Sequence, residues 1–141
     1  MKSVVVDTSV IIKWLNQDNE QHLDKADQIL LDVEKGKTSL LAPELAKYEI
    51  GNVLLKGKRL LADQVEICLR TFYALPITYI SETEVSAQET FSLADKLNIT
   101  YYDAAFLTIA NYNNALLVTD NLKHQGRSSK IKVAALKNYK I

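Results

Sequence analysis

The chain has 141 residues, 48% of them apolar and 24% charged, with four Gly, two Pro and a formal net charge of zero. That size suits one compact domain spanning residues 1–141, and the balance excludes collagen-like and disordered chains. No run nears the roughly 18 uninterrupted apolar residues of a membrane span, MKSVVVDTS meets an acid before a signal-peptide core forms, and the lone Cys68 has no internal disulfide partner, so a cytoplasmic protein is expected.

The first strand is SVVV, a β-branched run that stops at Asp7. TSVIIKWLN then places Val10, Ile11, Trp14 and Leu15 on one helix face, with Thr8 or Ser9 as its cap, so Asp7 falls in a tight strand-to-helix turn. A second helix is predicted from about Glu20 to Lys35, stopped by Gly36, followed by a short strand from Ser39 to Ala42. Pro43 suits the first turn of the next helix, ELAKYEIGNVLLKG, which ends at Gly57. Asp63 caps another, through VEICLRTFYAL to the break at Pro76, with Cys68 as a small core residue.

Ile77 to Ile80 reads as a strand, Glu82 to Leu97 and Tyr102 to Tyr112 as helices, Ala115 to Thr119 as a strand, and Ile131 to Ala135 as the last strand. Trp14, Phe72, Tyr73, Tyr101, Tyr102 and Phe106 are expected mainly in the core. From Asn121 onward there are six Lys or Arg and no Asp or Glu, so an acidic body carries a basic tail. Strands alternating with helices predict an α/β fold, a three-layer α/β/α sandwich with a mainly parallel sheet.

In such sheets ligands gather beyond the carboxyl ends of the strands. Asp7 closes SVVVDTS there, and Asp120 closes ALLVTDN in the same way. Two helix-borne acids are placed to join them: Glu49, within LAKYEIGNVLL, and Asp103, at the start of YYDAAFLTIA. Asn52 shares a helix face with Glu49, three residues away. Singly, each acid has an ordinary role as a cap, a turn residue or a solvated edge. Gathered without basic partners they would repel and raise one another's pKa values, an arrangement that makes sense around a cation. Oxygen ligands without cysteine or clustered histidine favour Mg²⁺ or Mn²⁺ over zinc. His22 and His124 lack metal-ligand spacing or a partnered nucleophile and receive no catalytic role.

VVVDTSVI, PELAKYEIGNVL, ITYYDAAFLTIA and LLVTDN, in that order across nearly the whole chain, resemble the PIN domain, most closely the VapC-type toxin ribonucleases. The resemblance implies that Asp7, Glu49 and Asp103 supply acidic groups to a metal site. Thr8, Ser9 and Thr119 look like its supporting hydroxyls, and Asn52 like its helix-borne polar neighbour. Where the family usually has Thr-x-Asp, this chain has Thr119-Asp120-Asn121. Asn121 stands in register with the missing acid, and Asp120 is kept as a candidate beside it. The family further implies Mg²⁺-dependent hydrolysis of single-stranded or loop RNA to a 5′-phosphate and a 3′-hydroxyl, a homodimer, and a small VapB-type antitoxin partner, with some aromatic residues covering those surfaces.

An acidic pocket needs positive charge at its rim to hold RNA. Lys123, Arg127 and Lys130, with His124, follow Asp120 directly and are the preferred phosphate contacts; Lys56, Lys58 and Arg59 form a second cluster. Three other readings stay open: a PIN-like module that binds RNA or a partner without cutting, a housekeeping RNA-processing nuclease, and a phosphotransfer protein using a strand-end aspartate. Against the last, the residue two beyond Asp7 is Ser9 instead of a second aspartate.

Overall fold

The computed structural model describes residues 1–126 and 130–141, with His124 described at its backbone. Among the described residues five strands, β1 (Lys2–Val6), β2 (Thr38–Pro43), β3 (Ile77–Ile80), β4 (Leu116–Thr119) and β5 (Val133–Ala135), form one sheet in the order β3-β2-β1-β4-β5. Every neighbouring pair is parallel, with Val4 in register with both Leu40 and Leu116, and Thr119 opposite Ala135. As the central strand of a sheet covered on both sides, β1 has no solvent face. Its Val4, Val5 and Val6 are all fully buried, each contributing about 1.5–3 kcal/mol of apolar burial.

The helices are α1 (Thr8–Ile11), extended by a 3₁₀ turn Ile12–Trp14, α2 (Leu23–Glu34), α3 (Leu45–Asn52), extended by a π turn Val53–Gly57, α4 (Ala62–Ala74), α5 (Glu84–Leu97), α6 (Tyr101–Tyr112) and α7 (Leu122–Gln125). The chain steps from β1 outward to β2 and β3, then returns across the sheet to β4 and β5. Right-handed crossovers therefore put α2 to α4 on one face and α5 to α7 on the other, the three layers expected from the alternation. Helix α6 lies against β1, β2 and β4.

Several local expectations are corrected. Neither Thr8 nor Ser9 caps α1: Asp7 holds the N-cap position with an extended backbone (φ −91°, ψ 176°), and its carbonyl accepts from the Val10 and Ile11 N–H groups at 3.1 Å. Helix α2 starts at Leu23 instead of Glu20, because left-handed turns at Asn19 and His22 (φ 59° and 58°) break the approach and Glu20 is taken up by ion pairs. Pro43 ends β2 opposite Ile80 and does not open a helix; β1 pairs only as far as Leu41, so the missing N–H lies past that ladder.

Asp63 sits in the first turn of α4, where the N-cap is Leu61 and the Gln64 side chain accepts from its N–H at 3.0 Å. Cys68 is buried and its thiol donates to the Leu15 carbonyl at 3.2 Å. Phe72 and Phe106 are core residues, but Tyr73 and Tyr102 stand 63% and 58% exposed. Among the described residues no helix is long and apolar enough to cross a membrane.

Candidate active site

Strand β1 pairs with β2 on one side and β4 on the other, and the chain reaches those two neighbours in opposite directions across the sheet. The connections leaving the carboxyl ends of β1 and β4 therefore diverge, and the crevice between them is where an open α/β sheet accommodates a ligand. Asp7 follows β1 into this crevice and Thr119 to Asn121 close β4 beside it, with the Asp7 N–H donating to the Val118 carbonyl at 3.4 Å.

Asp7 is buried, yet both its carboxylate oxygens are engaged. The Ser9 hydroxyl donates to Oδ1 and the Thr119 hydroxyl to Oδ2, each at 2.5 Å. Burial is the main influence on its acidity and pushes its pKa up to about 6, with Glu49 adding to the rise while Ser9, Thr119 and the Val10 N–H oppose it. Hydroxyl donors of this kind orient a carboxylate without neutralising it.

Helix α3 brings Glu49 to the same crevice, where Thr8 Oγ1 donates to its Oε1 at 2.7 Å. Burial and then the charge of Asp103 hold Glu49 above the usual carboxylate range, against the Thr8 bond. Asp103 arrives in the first turn of α6, its N–H capped by Thr100 Oγ1 at 3.0 Å. These three acids line one cavity of about 210 Å³ together with the three hydroxyls of Thr8, Ser9 and Thr119. Phe106 and the amides of Asn121 and Gln125 complete its wall.

The adjacent pair after β4 divides. Asn121 lines the carboxylate cavity, and its Oδ1 also accepts from the Lys123 N–H at 2.9 Å, capping the four-residue α7. Asp120 faces the other way, into an ion pair with Lys13 at 3.0 Å, and lines a neighbouring groove with Asn52. Its N–H still donates to Ser9 Oγ at 2.9 Å, so the Asp120 backbone supports the hydroxyl that holds Asp7.

Lys13, which the sequence reading passed over, is a fully buried cation with Glu20 and Asp120 each at 3.0 Å. The signal was a lysine inside the apolar run VIIKWL. Glu20 is shared in turn with Lys58, whose ammonium lies 2.7 Å away and also donates to the Asp18 carbonyl, so Lys58 is committed to this network. Lys56, Arg59, Lys123 and Lys130 are exposed, and Arg127 lies outside the described residues.

Among the described residues no three acid, histidine or cysteine side chains close on one point as a ready-made metal cluster; the carboxylates stand around the cavity as walls. The donor set nonetheless fits a hard divalent cation. It is made of oxygens, no lysine or arginine is among the described residues that line it, and the pKa values of Asp7 and Glu49 are raised, mainly by burial and further by a neighbouring carboxylate.

Residues 4–126 match the PIN domain family. Solved structures share the fold: VapBC2 from Rickettsia felis bound to a DNA fragment from its promoter is 17% identical with a TM-score of 0.72, over 94% of this chain and 98% of that one. DNA-bound VapBC from Salmonella typhimurium is 15% identical with a TM-score of 0.69, over 96% and 99%. Mycobacterium tuberculosis VapC20, a sarcin-ricin loop cleaving toxin, is 11% identical with a TM-score of 0.61, over 81% and 86%. No curated protein matches the chain in sequence.

Proposed function

Because the chain belongs to the PIN domain family, we propose that it is a metal-dependent endoribonuclease, the toxin of a toxin–antitoxin pair. The observation that carries the chemistry is the convergence of Asp7, Glu49 and Asp103, from β1, α3 and α6, on one cavity lined by no described lysine or arginine. The toxin assignment draws on neighbours that are toxin–antitoxin complexes, including one from Klebsiella pneumoniae.

In this reading Asp7, Glu49 and Asp103 hold Mg²⁺ or Mn²⁺, with the Asn121 amide in place of a fourth acid. The ion, when bound, lowers the pKa of the attacking water and offsets charge on the phosphoryl oxygens. Ser9 and Thr119 fix both oxygens of Asp7, and Thr8 fixes Oε1 of Glu49. Lys123 and Lys130 grip RNA phosphates at the rim. The protein works in the cytoplasm as a single-domain homodimer held in check by a small VapB-type antitoxin.

The test is cleavage of a panel of single-stranded and structured RNAs with Mg²⁺, Mn²⁺ or EDTA, beside Glu49→Gln and Asp103→Asn. Metal-dependent cutting that falls about a hundredfold or more in both variants is expected. Equal cutting by all three proteins, or cutting that persists in EDTA, would reject the assignment, and no cutting by the wild type would favour a module that binds RNA or a partner.

A second expectation separates the two residues after β4. Asp120→Asn should keep activity within about tenfold of wild type, since that carboxylate faces Lys13. Asn121→Asp should tighten Mn²⁺ binding by about tenfold in calorimetric titration, while still capping α7. A severe loss in Asp120→Asn with no gain in Asn121→Asp would reverse the assignment.

A further inference from the structure

Tyr48 and Tyr102 stand beside the site without a structural task. Each immediately precedes a carboxylate of the cavity, Glu49 on α3 and Asp103 on α6, yet they are 78% and 58% exposed. Both line a groove of about 920 Å³ that shares Thr8, Ser9 and Glu49 with the carboxylate cavity, so a strand lying in the groove passes Glu49 at the cavity's edge. On their other side both rings border a mainly apolar cleft of about 230 Å³, walled by Pro43, Leu45, Ile80 and Ile109.

The groove's charge decides what can lie there. Its charged residues are Glu49, Glu20, which is paired with Lys13 and Lys58, and Asp120, which is paired with Lys13, and no lysine or arginine is among the described residues that line it. The lining therefore offers no cation of its own to grip phosphates away from the metal site, and bases are the part of a strand that its walls can hold. Exposed aromatic rings suit that task, since each base stacked on one gains enough to change affinity by about tenfold. Bases locked in a duplex are not free to stack on side chains, whereas unpaired ones are.

We propose that Tyr48 and Tyr102 stack the nucleobases flanking the scissile phosphate, and thereby select unpaired RNA. This rests on the ribonuclease reading for its substrate, and it makes the two rings positioning residues for the strand. The apolar cleft behind them receives a base turned out of the groove.

The probe is a short single-stranded RNA carrying 2-aminopurine, with Ca²⁺ in place of Mg²⁺ and a gel confirming that the strand stays intact. Binding should quench the fluorophore. Tyr48→Ala and Tyr102→Ala should each raise Kd about tenfold, whereas Tyr48→Phe and Tyr102→Phe, which keep the ring, should stay within about twofold. Raising salt from about 50 to about 200 mM should weaken binding less than the thousandfold or more seen for proteins that grip many phosphates.

Alanine variants that bind like wild type, phenylalanine variants that fall as far as the alanine ones, or a wild type that quenches nothing would each overturn the proposal. Unchanged RNA binding with lost self-association in sedimentation would also overturn it and assign the rings to a protein interface. Wild-type cleavage with Mn²⁺ that the alanine variants leave intact rejects stacking alone. Ring-dependent quenching by a protein that never cuts supports stacking and rejects the nuclease reading instead.

Discussion

Asp7→Asn is expected to lower metal-dependent RNA cleavage by about a thousandfold or more and, at about pH 7, to make the protein more stable than wild type. The two effects have one cause. Asp7 is 8% exposed and its pKa lies at about 6, above its ordinary 3.8, chiefly because burial disfavours the charged form. A carboxyl that binds its proton more tightly when folded than when unfolded stabilises the fold only while protonated. Below pH 3.8 both states carry the proton; between 3.8 and about 6 the folded state holds more protons, so stability falls as pH rises, and it levels off above that window.

A shift of about two pKa units corresponds to about 3 kcal/mol, which the neutral amide escapes. Part of the gain is lost because Asn Nδ2 cannot accept the hydroxyl bond its predecessor accepted. Thr119 Oγ1 already lies 3.2 Å from the Asn121 carbonyl, so its proton has another acceptor, and a net gain of about 2 kcal/mol remains. Urea denaturation at about pH 7 and about pH 3.5 checks this: the advantage should appear at the first and vanish at the second. Mn²⁺ should raise the melting temperature of wild type and leave Asp7→Asn nearly unmoved, because only the charged site binds the ion in the native state. A variant that melts below wild type at neutral pH would mean that the Asp7 charge is compensated in the fold.

The parts of the fold legible in the sequence are those that depend on local pattern. Ile77–Ile80 agrees with its predicted limits at both ends, bounded by Pro76 and a polar segment, and β1 ends at Val6 where the β-branched run meets the acid. Helix α7 escaped notice because four residues carry no periodicity; its start signal is the Asn121 cap, a residue read only for its place after a strand. Tyr102 was expected inside because it opens an apolar helix. Its neighbours Ala104 and Phe106 to Ala110 take the buried face and leave it outside.

For the candidate site, the sequence offered which acids end strands or interrupt apolar helices. It did not reveal that β4 returns to pair with β1, a contact 112 residues apart that makes Thr119 a donor to Asp7. Alternation after a strand said that Asp120 and Asn121 point apart, but which of them faces the cavity is decided by where a buried cation lies. That cation is Lys13, and no local pattern links it to Asp120.

Lys13→Met should therefore have the largest cost to stability of any single change near the site, about 3 kcal/mol, read as a lower urea midpoint. Burial pulls the Lys13 ammonium toward neutrality, but the hydrogen bonds and charges of Glu20 and Asp120 outweigh it and hold its pKa above the ordinary 10.5. Its contribution is fully present below pH 10.5 and is lost as pH rises through the raised value. Burial likewise tends to raise Glu20, yet Lys58 and Lys13 bring it below 4.5, so its share is present above 4.5 and fades as acid protonates it. The gap between wild type and Lys13→Met should be flat near neutrality and narrow in acid. Methionine fills much of the lysine's volume, so the loss reports the charge: Glu20 retains Lys58, while Asp120 retains no partner in this network. Freed, Asp120 no longer anchors the N–H that supports Ser9, and Ser9 in turn loosens on Asp7. Cleavage should fall several-fold, and Asp120→Asn should add little to it, because both changes cut the same chain of contacts. If Lys13→Met unfolds at the wild-type urea concentration, the buried ion pair contributes nothing net and the turn after β4 is held by its backbone alone.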